Sequence, residues 1–222
     1  MLIKRLSLSR TADRVAGFLR ACRQDRSGLA AVEFALVLPV MLVAYFGCLE
    51  VTQGFQASRK VAILSRSLSD LTSQATTAVA TAEMNNIFDA SRAVLAPFDP
   101  TSTQMTVTSV VFSTVSGNVK AFVDWSTTRN GALRACGELT QVANGTAPAP
   151  NNIPAGLVQA GSTVIVADVK YFYTPLLGGA FREIGNGRTS FELKNTTYMR
   201  PRSVTRIATT GLSGNNCAPT FP

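Results

Sequence analysis

Glu33 lies in surroundings that call for a chemical explanation. It is the only charged residue in the 21-residue stretch from Leu29 to Leu49, LAAVEFALVLPVMLVAYFGCL. A carboxylate costs about 2.5–3.5 kcal/mol at the centre of a bilayer and less near its surface, and residues of this kind are usually retained for function. Such a group needs a cationic partner. The position of Glu33 therefore predicts a charge-pairing role.

Residues for metal or acid–base catalysis are scarce. The chain has no histidine, and its four cysteines form no C-x-x-C pair. It therefore lacks the usual ligands of a zinc site and the usual base of a histidine-based triad. One alternative is the run Asp124-Trp125-Ser126-Thr127-Thr128, which resembles the D-x-S-x-S or D-x-S-x-T start of a metal-dependent adhesion site. Domains with that site alternate strands and helices, so a strand ending in a polar turn is the simpler interpretation. We predict no catalytic residue, no metal ligand and no cofactor.

The element that must position Glu33 has the length of a membrane-spanning helix. At a rise of 1.5 Å per residue, 29–49 crosses the roughly 30 Å hydrocarbon core. Seven Lys and Arg residues against two Asp give 1–28 a net charge of +5 out of the formal +8. This bias predicts a cytoplasmic N-terminus and an external remainder. A basic stripe interleaved with aromatics, typical of nucleic-acid grooves, is absent from the sequence, so we predict a membrane and no nucleic acid as partner.

A secretory signal peptide is the competing interpretation of the same pattern. The leader is long for such a signal, the apolar run exceeds the usual length of roughly 7–15 residues, and Phe55-Gln56-Ala57 offers a bulky residue where the peptidase needs a small one. Gly47-Cys48 resembles a lipoprotein site only weakly, because Tyr45 and Phe46 precede it. We expect neither cleavage.

Beyond the span we expect a helical region at 50–100 and a β-rich region with a C-terminal tail at 101–222. The helical spacing of Val61, Leu64, Leu68 and Leu71 predicts that the first helix continues, and 76–95 is predicted as a second helix.

Four segments rich in Val, Thr, Phe and Tyr predict strands, and the Gly/Asn/Pro/Ala-rich stretch 143–156 predicts a loop. In the second strand, alternation places Val119, Ala121, Val123 and Trp125 on one face. The fold class is thus α+β: one N-terminal transmembrane helix extends into a domain with helices packed on an antiparallel sheet of about four strands. The four strand segments are Gln104–Phe112, Val119–Trp125, Thr163–Tyr173 and Ser190–Met199.

The start of the apolar run is similar to a type IV prepilin processing site. There a glycine, Gly28, ends a basic leader, a hydrophobic residue, Leu29, follows it, and Glu33 and the aromatic Phe34 come next. Glycine suits a protease cleft because it is easily extended. Cleavage after Gly28 creates an α-amine on Leu29, which is the cation that Glu33 needs, in the same chain or in a neighbour.

Further regions extend this likeness to the TadE/TadG-like pseudopilins, minor subunits of the tight-adherence (Tad, Flp-type) type IVb pilus. The resemblance implies a pilin-like periplasmic domain, processing by a prepilin peptidase at Gly28 and Leu29, and assembly through Glu33 and Phe34. It also implies other pilins, pseudopilins and the inner-membrane assembly platform as partners, and no enzymatic activity. Besides the junction, the matching regions are Val123-Asp124-Trp125-Ser126 with Ile153-Pro154, Val164-Ile165-Val166 with 169–175, and Tyr198 to Arg202.

The predicted location is the bacterial inner membrane, with a single pass, a cytoplasmic leader at 1–28 and a periplasmic domain. An alternative is a permanently anchored periplasmic adaptor whose leader is not removed. In either case Trp125 and the run 171–173 are candidates for a partner-binding patch, although aromatics in strands more often fill a core.

We also predict a disulfide between Cys136 and Cys217. Both residues are expected in the oxidising periplasm, in loop-like or terminal segments, where the bond would pin the tail 203–222 to the domain. Cys22 is expected in the cytoplasm and Cys48 at the outer membrane interface, so these two should not pair.

Overall fold

The computed structural model describes residues 28–146, 151–175 and 190–217. The predicted basic leader therefore lies, apart from Gly28, outside the described residues, as does Cys22. The described chain divides into two compact units, one ending at Val51 and the other beginning at Thr52. A single helix, α1, runs from Leu29 to Ser73.

In the first unit, α1 is an apolar helix with exposed side chains. It starts at Leu29 and continues through Pro39, which lacks only one backbone donor. Its apolar segment has a mean hydropathy of 2.2 and is not buried against other parts of the structure. By length and composition this helix can cross a membrane.

In the second unit, α1 covers one face of a sheet. Its residues Ala57, Val61, Leu64 and Leu68 are buried, and their spacing of three and four residues places them on one side of the helix. The prediction that the helix continues past the span is confirmed. Leu71 is only half-buried, because Thr72 continues the buried stripe.

The second helix is shorter than predicted. Residues Val79–Ala80 form a strand, β1, and the helix α2 extends only over Thr81–Arg92, followed by a 3-10 turn at Ala93–Leu95. The predicted start at 76 is wrong, because β1 pairs in parallel with Thr209–Thr210, and the N–H of Val79 donates to the carbonyl of Ala208 at 2.9 Å. Tertiary pairing overrides local helix propensity here.

The sheet contains the four predicted long strands, which are antiparallel, with short strands added at its edges. Its strands are β2 Thr103–Val115, β3 Asn118–Arg129, β4 Glu138–Val142, β5 Asn152–Pro154, β6 Thr163–Tyr173, β7 Phe191–Met199 and β9 Asn215–Asn216. Strand β8, Thr209–Thr210, pairs separately with β1. The strand order of the larger sheet is β5-β4-β3-β2-β6-β7, and β9 also pairs with β3.

The predicted loop 143–156 is partly wrong. Strand β5 lies within it and pairs in parallel with β4, while 147–150 lie outside the described residues.

A β-bulge in β3 changes which face its side chains occupy. Trp125 is opposite Ser109 whereas Val123 is opposite Val110, which leaves Asp124 as the extra residue. Ala121 and Val123 pack in the core away from α1, while Trp125 packs in the core beneath α1. The predicted single face for these residues is therefore wrong, because one inserted residue inverts the alternation.

Candidate functional site: the helix start and the tied C-terminal segment

Gly28 lies at the beginning of α1 with open space around it. Its carbonyl accepts a hydrogen bond from the N–H of Val32 at 3.1 Å, so the Gly28–Leu29 peptide bond joins the cap position to the first helical residue. A Cβ placed on Gly28 would meet no atom within 4 Å, and the side chain of Leu29 is 59% exposed. Within the described structure, this peptide bond is accessible.

Glu33 lies one helical turn after Leu29 on the same side of α1, because four residues correspond to about one turn of 3.6 residues. Both Glu33 and the adjacent Phe34 are exposed. Among the residues that the structure describes, the carboxylate of Glu33 forms no ion pair. The geometry thus brings the four junction residues together on the first turns of one helix.

Cys136 and Cys217 form a disulfide, with an S–S distance of 1.97 Å. Cys48 lies outside this bond and is exposed on α1. The described part of the tail, 203–217, is also held by many contacts that sequence reasoning missed. The N–H of Cys217 donates to the carbonyl of Asp124 at 2.8 Å, and β9 pairs with β3 at Trp125 and Ser126.

Asp124, the bulge residue, binds the tail through its carboxylate. Arg206 donates from Nε to Oδ2 at 2.8 Å and from Nη2 to Oδ1 at 2.5 Å, and this hydrogen bonding raises the pKa of Arg206. The neighbouring Trp125 donates from Nε1 to the carbonyl of Ile207 at 2.8 Å. No local sequence signal indicates the Arg206 pair, because its members are 82 residues apart.

Other residues of the possible metal-dependent adhesion motif also form hydrogen bonds within the domain. Ser126 Oγ accepts from the N–H of Arg134, and Thr127 Oγ1 donates to the carbonyl of Ser213. Within the described ranges, no group of three or more Cys, Asp or Glu side chains is arranged to hold a metal ion. In this run the side chains of Asp124, Trp125 and Thr127 hold the tail, and those of Ser126 and Thr128 bind other parts of the domain.

The aromatic residues considered as a partner-binding patch are mainly core residues. Trp125, Tyr171 and Tyr173 are buried in the cluster beneath α1, and burial raises the pKa of the Tyr171 hydroxyl. Phe172 points to the opposite face and stays 36% exposed.

Replacement of Asp124 by asparagine should destabilise the domain. The buried carboxylate would lose its charge while Arg206, which is half-exposed, would lose its bidentate partner. We expect the free energy of unfolding to fall by about 2 kcal/mol. Denaturant unfolding of the protein measures this loss. Asp89→Asn is the matched control, because Asp89 is paired with Arg129 at an exposed position. Equal effects of the two substitutions would contradict the assigned role of Asp124.

The fold and the junction together define a class of protein: one long apolar helix, suited to membrane anchoring, begins at an accessible Gly–Leu bond and leads into an α+β domain. Residues 28–67 match the family model described as TadE-like protein. The predicted TadE-like resemblance is confirmed over these residues, which include the junction and most of α1. No curated protein and no solved structure matches the chain significantly.

Proposed function

We propose that this chain is a minor pseudopilin that a prepilin peptidase processes after Gly28 and that takes part in the assembly of a Tad/Flp-type adhesion pilus. The TadE-like match indicates a Tad pilus-associated protein. The proposal of peptidase processing and assembly rests on the accessible Gly28–Leu29 bond, which lies one turn before the charged residue Glu33 of an apolar helix.

The proposed organisation has a cytoplasmic leader at 1–28, a transmembrane helix at 29–49, a helical region at 50–100 and a β-rich domain at 101–222. The excess of Lys and Arg before the helix supports a cytoplasmic leader and a periplasmic domain at the bacterial inner membrane. The disulfide supports the same side for the domain, since such bonds persist in oxidising compartments.

The proposed partners are the prepilin peptidase, other pilins and pseudopilins, and the inner-membrane assembly platform. In this scheme the protein has a structural role and no enzymatic one. Cleavage places a positive α-amine on Leu29, and Glu33 of the same or a neighbouring subunit neutralises it inside the bilayer. That pairing fixes the depth and register of the mature helix against its neighbours.

N-terminal sequencing of the protein from cells that make the pilus tests the processing step directly. We expect the mature chain to begin at Leu29. A protein that keeps its first 28 residues in those cells would favour the alternative, a permanently anchored adaptor.

Glu33→Ala tests the docking step separately from cleavage. The substitution leaves Gly28 and Leu29 intact, so processing should continue. Copurification with other pilin-class subunits should fall several-fold, because the amine loses its partner at the start of the span, where an unpaired charge costs less than the roughly 2.5–3.5 kcal/mol of the bilayer centre. Glu83→Ala, which removes an exposed carboxylate of α2, is the matched control and should have no effect. Intact pilus assembly with Glu33→Ala would overturn the proposed role.

A further inference from the structure

A cleft of about 490 Å³ opens on the sheet face opposite α1. Its floor consists of side chains from β2, β6 and β7 that alternate with the residues buried beneath α1. Its wall is the loop Gly131–Arg134, which follows β3. We call this feature the basic cleft.

The strand register places two lysines side by side on the floor. Lys170 of β6 is paired with Gln104 of β2 on one side and with Lys194 of β7 on the other. Like charges directly opposite each other in a sheet are destabilising. Lys170 lies 3.7 Å from the carboxylate of Glu192, and within the described ranges Lys194 forms no ion pair or hydrogen bond. An anion between the two ammonium groups would relieve their repulsion.

The neighbouring residue pair of the sheet, Asp168 and Thr196, holds the wall of the cleft in place and adds no net charge. The side chain of Arg134 is only 4% exposed and donates from Nε and Nη2 to Asp168 Oδ2 at 3.1 and 2.7 Å. Thr196 Oγ1 donates to the other oxygen of Asp168 at 2.7 Å. Both carboxylate oxygens are thus occupied, and Arg134 neutralises Asp168. With Glu192 offsetting one lysine, the described charged groups leave an excess of one positive charge.

An aromatic ring continues the same face beyond the lysines. Phe172 is two residues from Lys170, is paired with Glu192, and is 36% exposed. An acidic sugar has an apolar C–H face, hydroxyl groups and a carboxylate. The exposed aromatic ring, the amide and the two ammonium groups of this surface can each bind one of these parts. The ring packs against the C–H face of a pyranose, the amide of Gln104 bonds to hydroxyls, and the lysines bind a carboxylate.

We propose that the basic cleft binds an acidic polysaccharide, with a uronate carboxylate between Lys170 and Lys194 and a sugar ring on Phe172. The exposed ring of Phe172 beside the two lysines favours a saccharide over an acidic peptide, because the C–H face of a sugar packs against an aromatic ring. The inference goes beyond the proposed role in pilus assembly and does not depend on it, because it requires only the folded domain.

Binding of full-length protein in nanodiscs to immobilised polygalacturonate, at about 0.15 M salt to limit unspecific attraction, tests the proposal. We expect the double variant Lys170→Gln/Lys194→Gln to bind about tenfold more weakly, because hydrogen bonds from charged groups are lost. The control is Lys120→Gln, a lysine paired with Glu138 at 2.9 Å elsewhere on the domain, which should leave the affinity unchanged. Phe172→Leu should weaken binding of polygalacturonate while leaving binding of polyglutamate unaffected.

Three results would overturn the proposal. The first is no binding of polygalacturonate by the unmodified protein, and the second is an equal loss with Lys120→Gln and with the double variant. The third is that polyglutamate or duplex DNA binds as tightly as polygalacturonate and that Phe172→Leu has no effect. That result would identify a surface that binds anions in general. The lysines are exposed, so unchanged circular dichroism and unfolding of the variants should accompany each comparison.

Discussion

A Gly28→Val variant should accumulate with its first 28 residues still attached and migrate more slowly than the unmodified protein. The reason lies in cleavage and not in folding, because a Cβ at this position meets no atom within 4 Å. Valine is β-branched and stiff, so it places two methyl groups beside the scissile bond, where glycine has no side chain. N-terminal sequencing and gel migration of the membrane fraction measure the outcome.

Gly47→Val provides the control for this experiment. Gly47 lies in the same helix, and a Cβ there also meets no atom within 4 Å. The control should be processed normally, which separates an effect on the cleavage site from any general effect of valine on insertion of the helix. Normal processing of Gly28→Val would rule out Gly28 as the residue before the cut.

Removal of the disulfide by Cys136→Ser/Cys217→Ser should lower the free energy of unfolding by roughly 4 kcal/mol. The bond joins residues 81 apart in sequence, and the chain-entropy model assigns such a long loop a large restriction of the unfolded state. Denaturant unfolding of oxidised protein should show the loss. Cys48→Ser, which replaces an exposed cysteine outside the bond, should change stability by no more than about 0.5 kcal/mol.

The tail should loosen in this double variant before the rest of the domain unfolds. Hydrogen exchange should accelerate first at Asn215 and Asn216 of β9, because their pairing with β3 lies next to the lost bond. Alkylation of the oxidised, unmodified protein should find no reactive thiol at Cys136 or Cys217. Two free thiols at these positions would contradict the bond itself.

The α+β class and the four long strands were predictable because they depend on local patterns. Residues 163–173 are rich in Val and Tyr, and the structure places a strand over those same bounds. The length and composition of the apolar run after Gly28 likewise predict a helix. The junction could be recognised because its residues are close together in the sequence.

The features that could not be predicted from the sequence depend on contacts between residues far apart in the chain. The short strand Val79–Ala80 exists because it pairs with Thr209–Thr210, and nothing in its own sequence favours strand over helix. The bulge at Asp124 turns Trp125 to the other face, since the carboxylate reaches Arg206 and the indole reaches Ile207. The basic cleft arises only when register places Lys170 beside Lys194.

The tied tail also sets the order in which this domain can be completed during synthesis. A chain emerges from its N-terminus onward, and the buried core beneath α1 includes Ile207, which is 0% exposed. Cys217 contributes to the second core, on the other face. The first core therefore cannot close before residue 207 has been made, and the second cannot close before residue 217. A nascent chain stalled before residue 207 would expose apolar core surface to chaperones and proteases.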